Sequence, residues 1–490
     1  MRDLTTHRSV HHLSLGDASR SNARRFASLE ATVDGTDRWT YHELEQHAAA
    51  VAAGLRKRGA EPGDVVAWLG QNSAWMLAVL LAAARIGCCF APISWRLTEQ
   101  ERQPLLDGMD PAVTLEDPED AQALIDLSLD PQDQDLEDTS EDDPVLVIFT
   151  AAFEGRPLGA QLTHRGVITQ ALLLAARDRL DPSDTYLAAG PLSHIGTLQY
   201  VLAHWLVGAR TVFLPKMESE SFVDAVEREH ATSAFLVPAS IPDLVRAAEE
   251  RHRDLRSLRT PALSGDPVLE RWTELTSRPR GSGSIGTSTG YGQTELSGLV
   301  SSVALVEGPP QGNAGWPQHV AVVRIVRPGT LEEAALGEVG EIVVRGPLVM
   351  SGYRNVAMGE RWAGGWHHTT DLGRYEGDGS LTFIGAAGNM IKSGGENVYP
   401  VEVETVLREH PLVSEACVVG IDDARWGQIV AVMVASAGGL DWVELEAWSR
   451  ERLAGYKRPR RWLVVSELPR VGSGQVDRGQ VEQQLQSVPA

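Results

Sequence analysis

Four short stretches of the chain set polar side chains beside residues that loosen the backbone. They are Pro191-Leu192-Ser193-His194, Tyr291-Gly292-Gln293-Thr294-Glu295, Thr369-Thr370-Asp371-Leu372 and Lys392-Ser393-Gly394-Gly395. Phosphate chemistry would use such groups, because an anionic protein holds phosphates with local positive charge or with backbone N–H groups. Taken singly, each has a plain structural reading: His194 is a satisfied loop histidine and Tyr291 a structural tyrosine. The pairs His11-His12 and His367-His368 read as surface or loop histidines rather than metal ligands. Cys88, Cys89 and Cys417 are the three cysteines. They are too few for a disulfide framework, and they read as small buried residues in a reducing cytoplasm.

The elements that must position these groups follow from the pattern of apolar residues. Thr40 to Arg58 predicts an amphipathic helix and Val65 to Trp68 the strand after it. Ala74 to Ala84 predicts a buried helix, too short to span a bilayer, followed by a strand around Cys88 to Pro92. Val145 to Thr150 is a β-branched run that enters a loop. Leu381 to Ile384, Ala416 to Gly420 and Ile429 to Ser436 predict strands, and Val401 to His410 a helix. This alternation predicts α/β layers. The chain has 490 residues, 43% of them apolar and 22% charged, which suits a soluble enzyme of more than one domain. Its net charge of -22 argues against a nucleic-acid partner. The N-terminus carries Arg and His without an apolar core, so no signal peptide is expected. The segment from Glu116 to Asp143 is close to half Asp and Glu, without Lys or Arg. It reads as a solvated surface insertion. Small residues around Gly385 to Asn389 suit a hinge.

The four stretches, with Trp39-Thr40-Tyr41, Glu61-Pro62-Gly63-Asp64, Gly340-Glu341-Ile342, Glu396-Asn397-Val398-Tyr399-Pro400 and Gly455-Tyr456-Lys457, stand in an order that resembles the adenylate-forming enzymes. That family includes acyl-CoA synthetases, peptide-synthetase adenylation domains and luciferases, and the likeness covers nearly the whole chain. It implies a large multi-subdomain α/β domain over residues 1–387 and a small, mobile α+β domain over 388–490. It also implies a reaction in two halves. A carboxylate first attacks the α-phosphate of ATP to give acyl-AMP; the small domain then turns about its hinge and a thiol attacks the acyl-AMP.

The first half brings a carboxylate against a triphosphate and needs cations and a glycine-rich loop. The family pattern T-S-G-T-T-G-x-P-K-G aligns with Thr150 to Gly159. Here its first glycine is Ala152, its two threonines are Phe153 and Glu154, and its lysine is Leu158. The catalytic lysine near the C-terminus is Gln475, and the nucleotide-contacting arginine is Ala386. Loss of one such preorganised donor costs roughly two to three orders of magnitude in rate. The groups that the resemblance assigns to an adenylate remain. Tyr291 and Gly292 would face adenine with the Ser264-Gly265-Asp266 backbone, Asp371 would accept from the ribose hydroxyls, and Thr294 would donate to the α-phosphate. Glu295 is the family's Mg2+ residue; without pyrophosphate its metal role, and ATP and Mg2+ as cofactors, are in doubt. For thioester formation the resemblance assigns His194 to the acyl-carbonyl gate and Lys392, Gly394 and Gly395 to the pantetheine tunnel. Gly388 stands at the hinge position.

The expected function is therefore that of a non-adenylating acyl-CoA ligase, converting acyl-AMP and coenzyme A into acyl-CoA and AMP. A separate adenylating ligase would supply the intermediate. The small residues of Val237-Pro238-Ala239-Ser240 and of 282–290 suit a bulky apolar acid, of terpenoid type in the antibiotic pathways that such a split reaction resembles. Two other readings stay open: a complete ATP-dependent ligase using Arg156, Lys392 or Arg470 as substitute cations, and an inert acid- or nucleotide-binding protein.

Overall fold

The computed structural model describes residues 13–127, 139–150, 158–236, 240–260, 267–277, 290–302, 312–386, 389–393, 396–423, 426–436, 438, 440–453, 455–471 and 475–487. The chain forms two compact units. The first comprises Met1–Pro309, Gly315–Val322 and Arg345–Gly365, the second Pro310–Ala314, Val323–Val344 and Trp366–Ala490. The boundary at 387/388 falls within the second unit, and Gly388 lies outside the described residues.

In the first unit, Tyr41–Lys57 begins where Thr40 and Glu43 form a reciprocal capping box. Its Leu44, Ala48, Val51 and Leu55 recur at helical spacing and are all buried. Ala74–Arg85, capped by Ser73, is buried around nearly its whole circumference, as its unbroken apolar run predicts. These helices share one core with side chains of two sheets, Val66, Phe90 and Leu146 from one and Tyr186 and Phe213 from the other. The first sheet runs in the order Gly352–Tyr353, Gly159–Thr163, Pro144–Phe149, Cys89–Pro92, Val65–Trp68, Val113–Leu115. Its last four strands are parallel, and the first two join antiparallel. The second sheet runs Ser233–Ala234, Thr185–Ala188, Arg210–Phe213, Glu30–Asp34, Asp37–Thr40. A small sheet of Gly290–Gln293, Gly298–Ser302 and Trp316–Pro317 completes the unit.

The second unit carries a sheet of Val322–Val326, Gly340–Arg345, His367–Tyr375 and Leu381–Ala386. A further sheet is built around the long antiparallel pair Glu415–Asp423 and Gly427–Ala435. Alternate residues of that pair feed two cores: Val418, Val430 and Val432 pack with Val403 and Leu407 of the helix Pro400–Arg408, and Cys417, Ile421 and Met433 with Val481 and Leu485 of Arg478–Ser487. The architecture is the expected α/β one.

The acidic segment is not wholly a solvated insertion: Pro118–Asp126 is a helix, capped by Asp117, whose Ala121 and Leu124 are buried. It packs on the helix Tyr41–Lys57 so closely that a Cβ on Gly54 would overlap the Leu124 carbonyl. Residues 128–138 lie outside the described chain. His367 and His368 belong to a strand, not to a surface loop; His367 is buried and His368 Nδ1 lies 3.0 Å from Glu341 Oε2. His11 and His12 are outside the described residues. The cysteines are buried and free, and burial pushes the Cys88 thiol up to about 12 and Cys89 to about 11, which leaves them unreactive. No helix among the described residues is long and apolar enough to cross a membrane.

Candidate active site

The strands Pro144–Phe149 and Gly159–Thr163 pair antiparallel up to Phe149 and Gly159. The pairing continues one step further: Thr150 N donates to Leu158 O at 2.9 Å, and Leu158 N to Thr150 Oγ1 at 3.3 Å. The loop expected to cradle phosphate therefore springs from a closed neck, while Ala152, Phe153, Glu154 and Arg156 themselves lie outside the described residues. Leu158, where the family has its lysine, packs against the main apolar core.

His194 caps the helix Ile195–Leu206, its carbonyl accepting from Leu198 N at 3.0 Å. Burial, then the nearby Arg96 charge, hold its imidazole below the ordinary histidine value. It is therefore neutral near pH 7 and can stand beside a carbonyl without a competing charge. The loop ahead of it is pinned by Asn72, whose Nδ2 donates to Gly190 O at 2.8 Å and whose Oδ1 accepts from Leu192 N at 3.1 Å. Sequence reasoning missed this positioning residue, because an isolated asparagine before a helix carries no sign of a partner over a hundred residues away.

Tyr291 lies in the strand Gly290–Gln293 and is buried. Gly292 is required beside it, since a Cβ there would strike the backbone of Gly298. Thr294 and Glu295 follow in a short 3-10 turn that packs on the strand Gly159–Thr163, next to the neck of the loop. Glu295 is engaged: Tyr353 Oη donates to its Oε1 at 2.6 Å, and Arg361 Nη1 donates to the same phenol oxygen at 3.2 Å. Tyr353 is itself fixed by backbone pairing with Ala160. Burial, then the Glu295 charge, push the phenol well above its usual range, so it remains a donor. Neither Tyr353 nor Arg361 was singled out from the sequence.

The second unit holds Asp371. Between the strands Gly340–Arg345 and His367–Tyr375 the register shifts, so that Leu372 faces Glu341 while His368 faces Val343. Within this bulge Thr370 adopts φ +59°, a left-handed conformation that a β-branched residue takes only when its surroundings force it. Thr369 Oγ1 then accepts from Asp371 N at 3.1 Å. Bulges of this kind re-aim a side chain, and strain of this kind gathers at ligand sites. Ala386 is the cross-strand partner of Asp371. Lys392 is in the strand Ile391–Ser393, paired with Asn397. Gln475 closes a small bridge through its carbonyl, which accepts from Val471 N at 2.9 Å. Arg470 makes a forked pair with Glu415, 2.7 Å to each oxygen. Ser264, Gly265, Asp266, Gly394 and Gly395 lie outside the described residues.

The residues at Glu295 fit a resident divalent cation poorly. Such ions take several oxygen ligands, and Mg2+ adds substrate phosphates to one or two carboxylates. Here one carboxylate oxygen already accepts from a phenol, with a guanidinium on that phenol. Among the described residues no group of three His, Cys, Asp or Glu could hold a metal ion.

The profile of the family described as AMP-binding enzyme matches residues 19–354, and that of the AMP-binding enzyme C-terminal domain matches 402–475. A feruloyl-CoA synthase of Amycolatopsis sp is 35% identical, with 96% of this chain and 99% of that protein covered. An indoleacetate--CoA ligase of Aromatoleum aromaticum is 33% identical over 91% of this chain and 92% of its own length. Among solved structures, o-succinylbenzoate CoA synthetase (MenE) from Bacillus subtilis in complex with its acyl-adenylate intermediate superposes with a TM-score of 0.78 at 26% identity, covering 95% of this chain and 97% of that one. ATP-bound MatB from Rhodopseudomonas palustris shares the fold, with a TM-score of 0.80 at 24% identity over 96% of this chain and 99% of that one. The chain belongs to the AMP-binding enzyme family, as a relative of its CoA ligases.

Proposed function

We propose that the protein is an acyl-CoA ligase that carries out the thioester-forming half of the family reaction on an acyl-adenylate supplied by a separate ligase. The observation that carries this reading is that both lysine positions of the adenylation half hold uncharged side chains. Leu158 is packed on the apolar core, and Gln475 presents an exposed neutral amide. Arg470, one candidate substitute, is engaged by Glu415. A carboxylate brought against a triphosphate without these cations meets uncompensated repulsion.

The remaining half asks for less. The CoA sulfur forms its bond to the acyl carbonyl carbon as the bond from that carbon to the AMP phosphate oxygen breaks. The electron pair leaves with AMP, and the thiol proton passes to solvent. Adenylate phosphate is a good leaving group, so catalysis is chiefly proximity. Tyr291, Gly292 and Thr294 would hold the nucleotide, and Asp371 would accept from the ribose hydroxyls. His194 would line the acyl carbonyl, and Lys392 with the glycines after it the pantetheine path. We place the working boundary between an adenylate-binding domain and a turning C-terminal domain at 387/388, with Gly388 as hinge. The acids named in the relatives' descriptions are ferulate, indoleacetate and 2-succinylbenzoate, all ring-bearing. They support a bulky apolar acid here, aromatic or of similar girth.

The test pairs two incubations of the full chain, read by mass spectrometry. In one, ring-bearing acids are supplied with ATP, Mg2+ and CoA; in the other, their synthetic adenylates with CoA alone. Acyl-CoA above background from adenylates only is expected. Acyl-CoA from acids and ATP would return the protein to the complete ATP-dependent ligases, the alternative favoured by its relatives. No product from either, with adenylate binding detected by calorimetry, would make it an inert binder.

A further inference from the structure

The contact at Glu295 extends the proposal above and rests on it. Three residues distant in sequence meet within the first unit. Glu295 leaves the turn after the Tyr291 strand, Tyr353 is fixed on the edge of the sheet beside the phosphate-loop neck, and Arg361 comes from the kinked stretch Gly359–Gly365, ahead of its non-helical residues Trp362, Ala363 and Gly364. The phenol joins the other two, at 2.6 Å to Glu295 Oε1 and 3.2 Å from Arg361 Nη1. The guanidinium carbon also lies 5.6 Å from the phenol ring centre, within cation–π range. The backbone carbonyl of Glu295 is held as well, accepting from Met350 N at 2.8 Å. A divalent ion held by both oxygens of this carboxylate would displace the phenol proton donor, and one on Oε2 alone would meet the guanidinium charge carried on that phenol. With pyrophosphate absent from the reaction, the phosphate oxygens that would complete its coordination are missing too.

We infer that Tyr353 and Arg361 take the place of a divalent cation at Glu295. The phenol orients the carboxylate and the guanidinium answers its charge, so the AMP phosphate beside Thr294 is bound without a metal. Both are positioning residues, acting on the nucleotide site through Glu295. Three consequences follow from the geometry. Removing the guanidinium should leave a carboxylate that attracts cations; removing the phenol oxygen should free a ligand atom; keeping the charge with lysine should keep the site closed.

Mn2+ serves as the probe, titrated into the full chain saturated with AMP and followed by electron paramagnetic resonance of the free ion. No acid, ATP or CoA is present, so the result is independent of whether the ligase reading of turnover holds. The wild type is expected to show no saturable site, and Arg361→Lys to match it. The double variant Arg361→Ala, Tyr353→Phe should gain a saturable site, with apparent affinity raised at least about tenfold, in line with loss of one nearby charge in a partly screened setting. Adding Glu295→Gln should abolish it. Thioester formation from a synthetic adenylate by the wild type should also be insensitive to EDTA. A saturable Mn2+ site in the wild type that Glu295→Gln removes would overturn the inference. So would a folded double variant, judged by its melting transition, that binds Mn2+ no better than the wild type.

Discussion

Asp371 and Ala386 face each other across neighbouring strands of the second unit. An arginine at 386 would therefore stand next to the proposed ribose acceptor, where alanine offers no charge-assisted donor. A hydrogen bond to a charged group contributes roughly 1.5–3 kcal/mol. Ala386→Arg is expected to tighten AMP binding by about tenfold, the lower end of that range, in calorimetric titration. Unchanged affinity would mean that Asp371 does not mark the ribose site.

On the proposed function, adenylation should return only when both sets of substitutions are repaired. Gln475→Lys alone leaves Phe153 and Glu154 in the loop and Leu158 at its neck, so no ATP–pyrophosphate exchange is expected from it. Leu158→Lys alone should lower the melting temperature, because it takes an apolar side chain out of contact with the core and puts a charge there. Exchange should appear only when Ala152→Gly, Phe153→Thr, Glu154→Thr and Leu158→Lys are combined with Gln475→Lys, each preorganised donor contributing roughly two to three orders of magnitude. Exchange in the wild type would end this line of reasoning.

What could be read ahead of the structure was what local chemistry encodes. Apolar residues at helical spacing after Thr40 marked one helix, and the β-branched run after Pro144 marked a strand. The order of the short polar stretches led to the family, which the matching profiles bear out. What escaped depends on partners remote in sequence. Tyr353 meets Glu295 from 58 positions away, and Asn72 pins Gly190 from 118. No periodicity announces such pairs. The bulge that turns Asp371 likewise rests on Thr370 at φ +59°, a backbone state that sequence assigns to glycine or asparagine rather than to threonine. The helix in the acidic segment was hidden by composition, since Ala121 and Leu124 are few among carboxylates yet sufficient to dock it.

That docking sets a third expectation. Gly54→Ala gains helix propensity of about 1 kcal/mol but drives a methyl into the Leu124 carbonyl, and overpacking costs typically about 1–3 kcal/mol. A net loss, seen as a melting temperature lower by a few degrees, is expected, with AMP affinity unchanged because the contact lies outside the nucleotide residues. A higher melting temperature would show that the helix Pro118–Asp126 yields without cost.

Acid stability should be governed in part by two buried imidazoles. Burial lowers His164 to about 4, against a smaller upward pull from Asp17, and lowers His204 likewise to about 4. Each is wired as a neutral ring. His164 Nδ1 accepts from Leu15 N at 3.1 Å; His204 lies with Nδ1 2.7 Å from Tyr200 O and Nε2 2.8 Å from Ser233 Oγ. Between the unfolded value of 6.5 and about 4 the unfolded chain binds more protons than the folded one, so stability must fall as the pH falls through that window. The gap corresponds to about 3 kcal/mol per imidazole, fully lost only below about pH 4. Denaturant midpoints measured from pH 7 to pH 4 should therefore decline, and His204→Asn should flatten the decline while lowering the plateau at pH 7. A midpoint independent of pH across this window would mean that these rings take up protons without cost to the fold.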